Sequence, residues 1–167
     1  MVTGLFPDRQ SAEAAYDSAQ ARGYSRDDVN LVMSDDTRKR HFGKESTSTE
    51  LGNKAAEGAG IGGAIGGTVG AVLAAITAVG TSLALPGLGI VIAGPLAAAA
   101  AGAGAGAAGG GLIGALIGWN IPEERVKHYE DGIKQGGILM GLRTKSDDDA
   151  QHLEGAWKQH RGEHIYR

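Results

Sequence analysis

The chain has 167 residues and a formal net charge of -3, which argues against nucleic acid as its main partner, because phosphate binding rests on clustered cationic side chains. It has no cysteine, which excludes disulfides, thiolate metal ligands, a cysteine nucleophile and a lipid-anchored cysteine. Residues 58–122 carry no charged side chain, so the remainder is about 100 residues, the size of one compact two-layer domain.

Residues 2–6 are short and apolar, and Pro7 and Asp8 come next, which predicts a strand and then a turn that opens a helix. This start has no basic residue and too short an apolar run for a signal peptide, so the N-terminus is expected to stay in the cytoplasm. Asp8 is the expected N-cap, and Ala12, Ala15, Tyr16 and Ala19 fall on one helix face. Gly23 is the expected left-handed stop. Residues 29–33 read as a second strand, completing β-α-β. The polar, charged stretch after it reads as a flexible linker, in which Asp35 and Asp36 are turn residues.

Beyond the charge-free segment, Pro122 suits a first helical turn, with Glu123 and Glu124 at its positive end. Val126, Tyr129 and Ile133 share a face of that helix, and Gly136 and Gly137 stop it. Residues 138–142 read as a strand. Ser146 and Asp149 form a start resembling a capping box, Ala150, Leu153 and Trp157 line a helix, Gly162 ends it, and residues 165–166 suit a last short strand. The two flanks look alike: Gly4-Leu5, an acid-capped helix and Gly23 recur as Gly141-Leu142, an acid-capped helix and Gly162.

The predicted fold class is therefore α+β: a ferredoxin-like split β-α-β domain interrupted by a long glycine-zipper two-helix hairpin. Residues 1–34 are its first half, 35–57 a polar linker, 58–119 the hydrophobic hairpin and 120–167 the second half. The helix after Pro122 is expected to be the return arm of the insertion.

Of the 29 glycines, 19 lie between Gly58 and Gly118. Gly58, Gly62, Gly66 and Gly70 form one GxxxG series, and Gly102, Gly106, Gly110, Gly114 and Gly118 form another. Spacing by four puts each series on one helix face, where two backbones can approach closely. Residues 60–79 and 98–119 each have roughly the length of one bilayer crossing, and Trp119 suits an interface. Residues 83–95, with Pro86, Gly87, Gly89 and Pro95, are expected to turn or re-enter between the helices. Positive charge lies only outside the segment, so the hairpin is expected to be the translocated part. Alanine and glycine contribute little to insertion, however, and the same residues suit a helical hairpin buried in a soluble oligomer, or a low-complexity linker.

Gly4-Leu5-Phe6, Ala14, Gly23-Tyr24-Ser25 and Asp28-Val29 resemble the N-terminal module of the heat-induced stress proteins of the YflT type (general stress protein 17M-like). Ile121-Pro122-Glu123-Glu124, Tyr129-Glu130 and Gly136-Gly137 are similar to the segment after the glycine-rich insertion in the membrane-associated members, and Pro86-Gly87-Leu88-Gly89 and Ala93-Gly94-Pro95-Leu96 to the middle of that insertion. The resemblance rests on glycine and proline punctuation and implies a bacterial protein of the general stress response. Trp119-Asn120 and Arg38-Lys39-Arg40 depart from the pattern.

No catalytic constellation stands out. His160 and His164 are four apart, but Gly162 lies between them and a third ligand is missing, so zinc is not expected. His128 reads as a residue of a solvated face, with pH sensing as the alternative. Asp147-Asp148-Asp149 lacks the spaced ligands of an EF-hand and reads as helix capping. There is no GxxxxGK[ST] and no Ser/His/Asp arrangement. Arg38, Lys39 and Arg40 are candidates for contact with lipid headgroups, or else a solvated loop.

The reading is a non-enzymatic, membrane-associated stress-response protein of the bacterial inner membrane, with both termini cytoplasmic. It self-associates through its glycine-zipper transmembrane helices and takes no cofactor. Its expected partners are membrane lipid, further copies of itself and an unspecified cytoplasmic protein. The alternatives are a soluble homo-oligomeric assembly in the cytoplasm, with the hairpins as its buried core, and a small-ligand sensor domain.

Overall fold

The structure, a computed structural model, describes residues 1–42, 82–85, 89–95, 97, 116 and 121–167. In chain order its elements are β1 (Val2–Phe6), α1 (Arg9–Ala21), a 3-10 turn (Arg26–Asp28), β2 (Val29–Ser34), α2 (Asp35–Phe42), β3 (Ser82–Leu85), β4 (Ile90–Ala93), α3 (Glu123–Lys134), β5 (Ile138–Leu142), α4 (Asp147–Gln159) and β6 (Glu163–Tyr166). The class is α+β. The six strands form one sheet in the order β3-β4-β2-β5-β1-β6, and every neighbouring pair is antiparallel.

Both flanks fold as their apolar spacing predicts. Asp8 caps α1 by accepting the Ser11 N–H at 2.8 Å, and Ala12, Ala15, Tyr16 and Ala19 are buried. Gly23, at φ +80°, ends α1. Ser146 caps α4, which buries Ala150, Leu153 and Trp157. α4 ends at Gln159, and the left-handed residue that follows is Arg161, at φ +62°, one position before the glycine expected to end the helix. Gly162 is needed for closeness instead, since a Cβ there would lie 2.7 Å from the Trp157 carbonyl oxygen.

β1, β2 and β5 are buried on both faces, so one helical layer cannot cover them. Phe6, Leu31, Met33, Ile138 and Met140 meet α1 and α4 on one side. Leu5, Val32 and Leu139 meet Val126, Tyr129 and Ile133 of α3 on the other. The domain is therefore three-layered where two layers were expected, and α3 is a covering layer rather than the arm of a hairpin.

Two further expectations are corrected. The start of the polar linker is helical: Ser34 accepts the Thr37 N–H at 3.0 Å, Asp35 and Asp36 occupy the first turn, and Thr37 and Phe42 are buried. The apolar stretch expected to turn between two membrane helices is a β-hairpin. Its strands, β3 and β4, pair from Ser82↔Ala93 to Leu85↔Ile90 and extend the sheet beyond β2.

Candidate functional site: the anchorage of the glycine-rich segment

The distinctive chemistry of this chain is its charge-free segment, and the structure fixes where that segment meets the folded body. β4 lies along β2 from Leu31↔Ala93 to Ser34↔Ile90. At one end of this ladder the Asp35 N–H donates to the Gly89 carbonyl at 2.7 Å. At the other end Gly94 adopts φ +110°, and a Cβ there would stand 2.5 Å from the Val29 carbonyl oxygen, so only glycine lets the chain leave the sheet here. The Ala97 N–H then donates to the Gly94 carbonyl at 3.0 Å.

Ala97 and Leu116 are both buried in the second core with Ile90, Ile92 and Ile121. The described residues that bracket 98–115 therefore lie in one apolar layer, and those that bracket 43–81 are Phe42 at the end of α2 and Ser82 at the start of β3. Phe42 is held by Arg9, whose guanidinium lies 5.1 Å from its ring centroid and donates to the His41 carbonyl at 2.6 Å.

Gly58, Gly62, Gly66, Gly70, Gly102, Gly106, Gly110, Gly114 and Gly118 lie outside the described residues, as does Trp119. The expectation of a membrane-spanning hairpin is nevertheless overturned. The tip it required to cross the bilayer is hydrogen-bonded into the same sheet as both flanks, and no helix among the described residues is long and apolar enough to cross a membrane.

Arg38, Lys39 and Arg40 lie on α2. Asp35 pairs with Arg38 at 3.0 Å and with Lys39 at 2.6 Å. The Lys39 and Arg38 side chains hold the Asp35 carboxyl below its ordinary range, and Asp35 in turn raises Lys39. Two of the three cations therefore already share a carboxylate within their own helix, which leaves a weaker anion-attracting patch than the sequence suggested. Thr37, on the buried side of α2, donates its hydroxyl to the Gly136 carbonyl at 3.2 Å.

A second polar cluster joins α3 to the β6 edge. Tyr129 donates its hydroxyl to the His164 carbonyl at 2.8 Å and accepts from the Thr3 hydroxyl at 2.8 Å. Burial pushes its pKa up to about 12. The His128 and His164 rings stack, with centroids 4.8 Å apart and planes 12° apart. The Arg125 guanidinium lies 4.0 Å from the centroid of Tyr166. His164 thus meets a histidine 36 positions away rather than His160, a pairing that linear spacing does not reveal.

A third cluster ties the two halves together. Tyr24 donates to Asp149 at 2.8 Å and accepts the Lys145 N–H at 2.8 Å, while Arg22 pairs with Asp149 at 3.2 Å. The Tyr24 hydroxyl is the main reason the Asp149 carboxyl is held low. The acidic run thus works in capping and in joining the halves.

Among the described residues no group of three or more His, Asp or Glu is placed to hold a metal ion, and no buried side-chain nitrogen or oxygen lacks a hydrogen-bond partner. The polar groups of the three clusters serve structural bonds. Comparison with protein-family profiles, with curated proteins and with solved structures finds no match in any of the three.

Proposed function

We propose that this is a non-enzymatic structural protein whose copies associate through the charge-free, glycine-rich stretches 58–81 and 98–115, which form the buried core of a homo-oligomer. The observation that carries this reading is the burial of Ala97 and Leu116 in one apolar layer of the body. The 18 residues between them have no side chain able to hydrogen-bond with water. Tethered at both ends to a folded body, such a stretch gains by covering its surface, and its small residues fit best against equally small ones. A second copy of the chain supplies that surface.

The flanking strands, in the order β2-β5-β1-β6 with α1 and α4 as crossovers, support a ferredoxin-like reading of the body, with β3 and β4 as an addition at its β2 edge. A ligand-sensor role is less favoured, because the sheet face opposite α1 and α4 is filled by α3. The resemblance in glycine and proline punctuation supports a place in a bacterial stress response.

Sedimentation of the full chain, extracted without detergent, tests the proposal. A particle several times the 17.0 kDa chain mass is expected. Gly66→Leu with Gly110→Leu is expected to shrink it while leaving the far-UV circular dichroism of the body in place. A wild-type chain that sediments as a monomer overturns the reading. A particle unchanged by both substitutions overturns the role of the glycine faces.

A further inference from the structure

We infer that β3 is the strand through which two copies of this chain join, pairing antiparallel with its own counterpart about a twofold axis, so that the sheets of two copies become one. This rests on the homo-oligomer proposed above and names a contact within it. The sheet ends at β3 on one side and at β6 on the other, and β1, β2, β4 and β5 each have a strand on both sides. A terminal strand leaves backbone N–H and C=O groups on its outer side without a ladder partner, which makes it a template for another strand.

The two ends are built differently. At β6 the register with β1 shifts between Thr3 and Leu5, and Arg161 and His164 take left-handed φ values of +62° and +47°. Glu163 puts charge on that strand and Arg167 puts charge beside it, and the His164 carbonyl already accepts the Tyr129 hydroxyl. Bulges and charges are what keep an edge from adding strands. β3 has neither. It pairs with β4 in unbroken register from Ser82↔Ala93 to Leu85↔Ile90, and Ser82-Leu83-Ala84-Leu85 contains no charge, proline or glycine. Among the described residues no strand lies on its outer side.

Charge chooses the occupant. β3 lies within the charge-free residues 58–122, so it has no side chain to compensate the charges of an incoming strand, and burying an uncompensated charge is costly. Its match is a neutral strand with an unused edge. In a second copy β1, β2, β4 and β5 are used on both sides and β6 carries charge, which leaves β3. Pairing of β3 with β3 is self-complementary and closes at two copies, whereas β3 on β6 would continue into a filament. A twofold axis perpendicular to the sheet sets one residue opposite its own copy, and the fullest overlap of the strands puts Leu83 or Ala84 there. The two Ser82 residues then lie within about 14 Å of each other, at about 3.4 Å per residue, which brings together the points where both 58–81 stretches join their sheets.

The chain has no cysteine, so a single introduced thiol reports alone. Residues directly opposite across an antiparallel pair have Cα atoms about 4.5–5.5 Å apart, within reach of a disulfide. Mild oxidation of full-length Leu83→Cys and Ala84→Cys is expected to give a covalent dimer in one of the two, while Glu163→Cys on β6 gives none. Gly66→Leu with Gly110→Leu is expected to reduce the particle to twice the 17.0 kDa chain mass, not to the monomer. In an equal mixture of that variant labelled with 15N and with 13C, contacts between β3 protons of differently labelled copies are expected, a readout that needs no cysteine. A wild-type particle in which neither thiol crosslinks and no such contact is seen overturns the strand pairing and leaves the glycine-rich association standing. A wild-type monomer overturns both.

Discussion

Trp157 donates its indole N–H to the carbonyl oxygen of Ala15 at 3.1 Å, tying α4 to the middle of α1 across the buried face of the sheet. Its ring also meets Phe6 edge-on, with centroids 5.4 Å apart, and a Cβ at Gly4 would stand 3.0 Å from it. One side chain thus joins β1, α1 and α4, and the close approach depends on glycine in β1. Trp157→Ala is expected to cost about 3–5 kcal/mol, enough to leave a domain of ordinary stability marginal. Trp157→Phe should cost less, losing the hydrogen bond and part of the volume. Urea unfolding followed by far-UV circular dichroism measures both.

Gly132 and Gly155 both lie inside helices, where alanine ordinarily stabilises by about 1 kcal/mol. Gly155 has nothing within 4 Å of an added Cβ, so Gly155→Ala is expected to raise the unfolding midpoint. At Gly132 an ideal Cβ would stand 2.1 Å from the Leu5 Cδ2, so Gly132→Ala is expected to destabilise by about 1–3 kcal/mol. Leu5→Ala combined with Gly132→Ala should cost less than the sum of the single changes, a coupling that a double-mutant cycle reads directly.

Gly94→Ala is expected to disturb the β2–β4 ladder, because the added Cβ meets backbone and the φ of +110° suits glycine alone. The conformation alone accounts for a loss of about 1–3 kcal/mol, before any clash is counted. Faster hydrogen exchange at β4 amides, with β1 and β5 unchanged, is the expected signature. A variant that exchanges like wild type would mean that β4 does not depend on this exit.

Tyr129 fixes a dependence at high pH. Its folded pKa of about 12 lies above the ordinary tyrosine value of about 10, so the folded state keeps a proton that the unfolded state loses. This contribution is complete below pH 10 and is lost as pH rises toward 12, by about 1.4 kcal/mol per unit. Tyr16 and Tyr24 are raised in the same direction, chiefly by burial, and add to the slope. Tyr129→Phe is expected to lower stability at neutral pH, leaving the Thr3 hydroxyl without this acceptor, and to flatten the decline above pH 10. Denaturant midpoints at pH 8, 10 and 11 compare the two chains.

The flanks are legible in the sequence because their signals are local. Asp8 and Ser146 cap within three residues, and the apolar spacing of both crossover helices fits a single buried face. α2 is harder to see, because Asp35 and Asp36 suit a turn as well as a first helical turn. Ser34 before them and Lys39, Arg40 and His41 after them are the signature of a short capped helix. β3 and β4 are obscured for a different reason. Ser82–Leu85 and Ile90–Ala93 are apolar runs on either side of Pro86-Gly87-Leu88-Gly89, a hairpin pattern, but within a charge-free segment the same punctuation also suits a turn between membrane helices. The hydrogen-bonding edge of β2 decides between them, and no linear pattern displays it. The stacking of His128 on His164 is hidden in the same way, since it depends on α3 covering the sheet beside β6.

The strand order also makes the chain separable in a particular sense. β5 comes from the C-terminal part of the sequence, yet it lies between β1 and β2, both from the N-terminal part. A peptide bond cut within residues 98–115 would leave one fragment holding β1 to β4 and another holding β5 and β6, interleaved by two full ladders and two apolar layers. Two polypeptides made separately and broken there should therefore find each other and rebuild the fold, with the covalent link replaced by strand pairing.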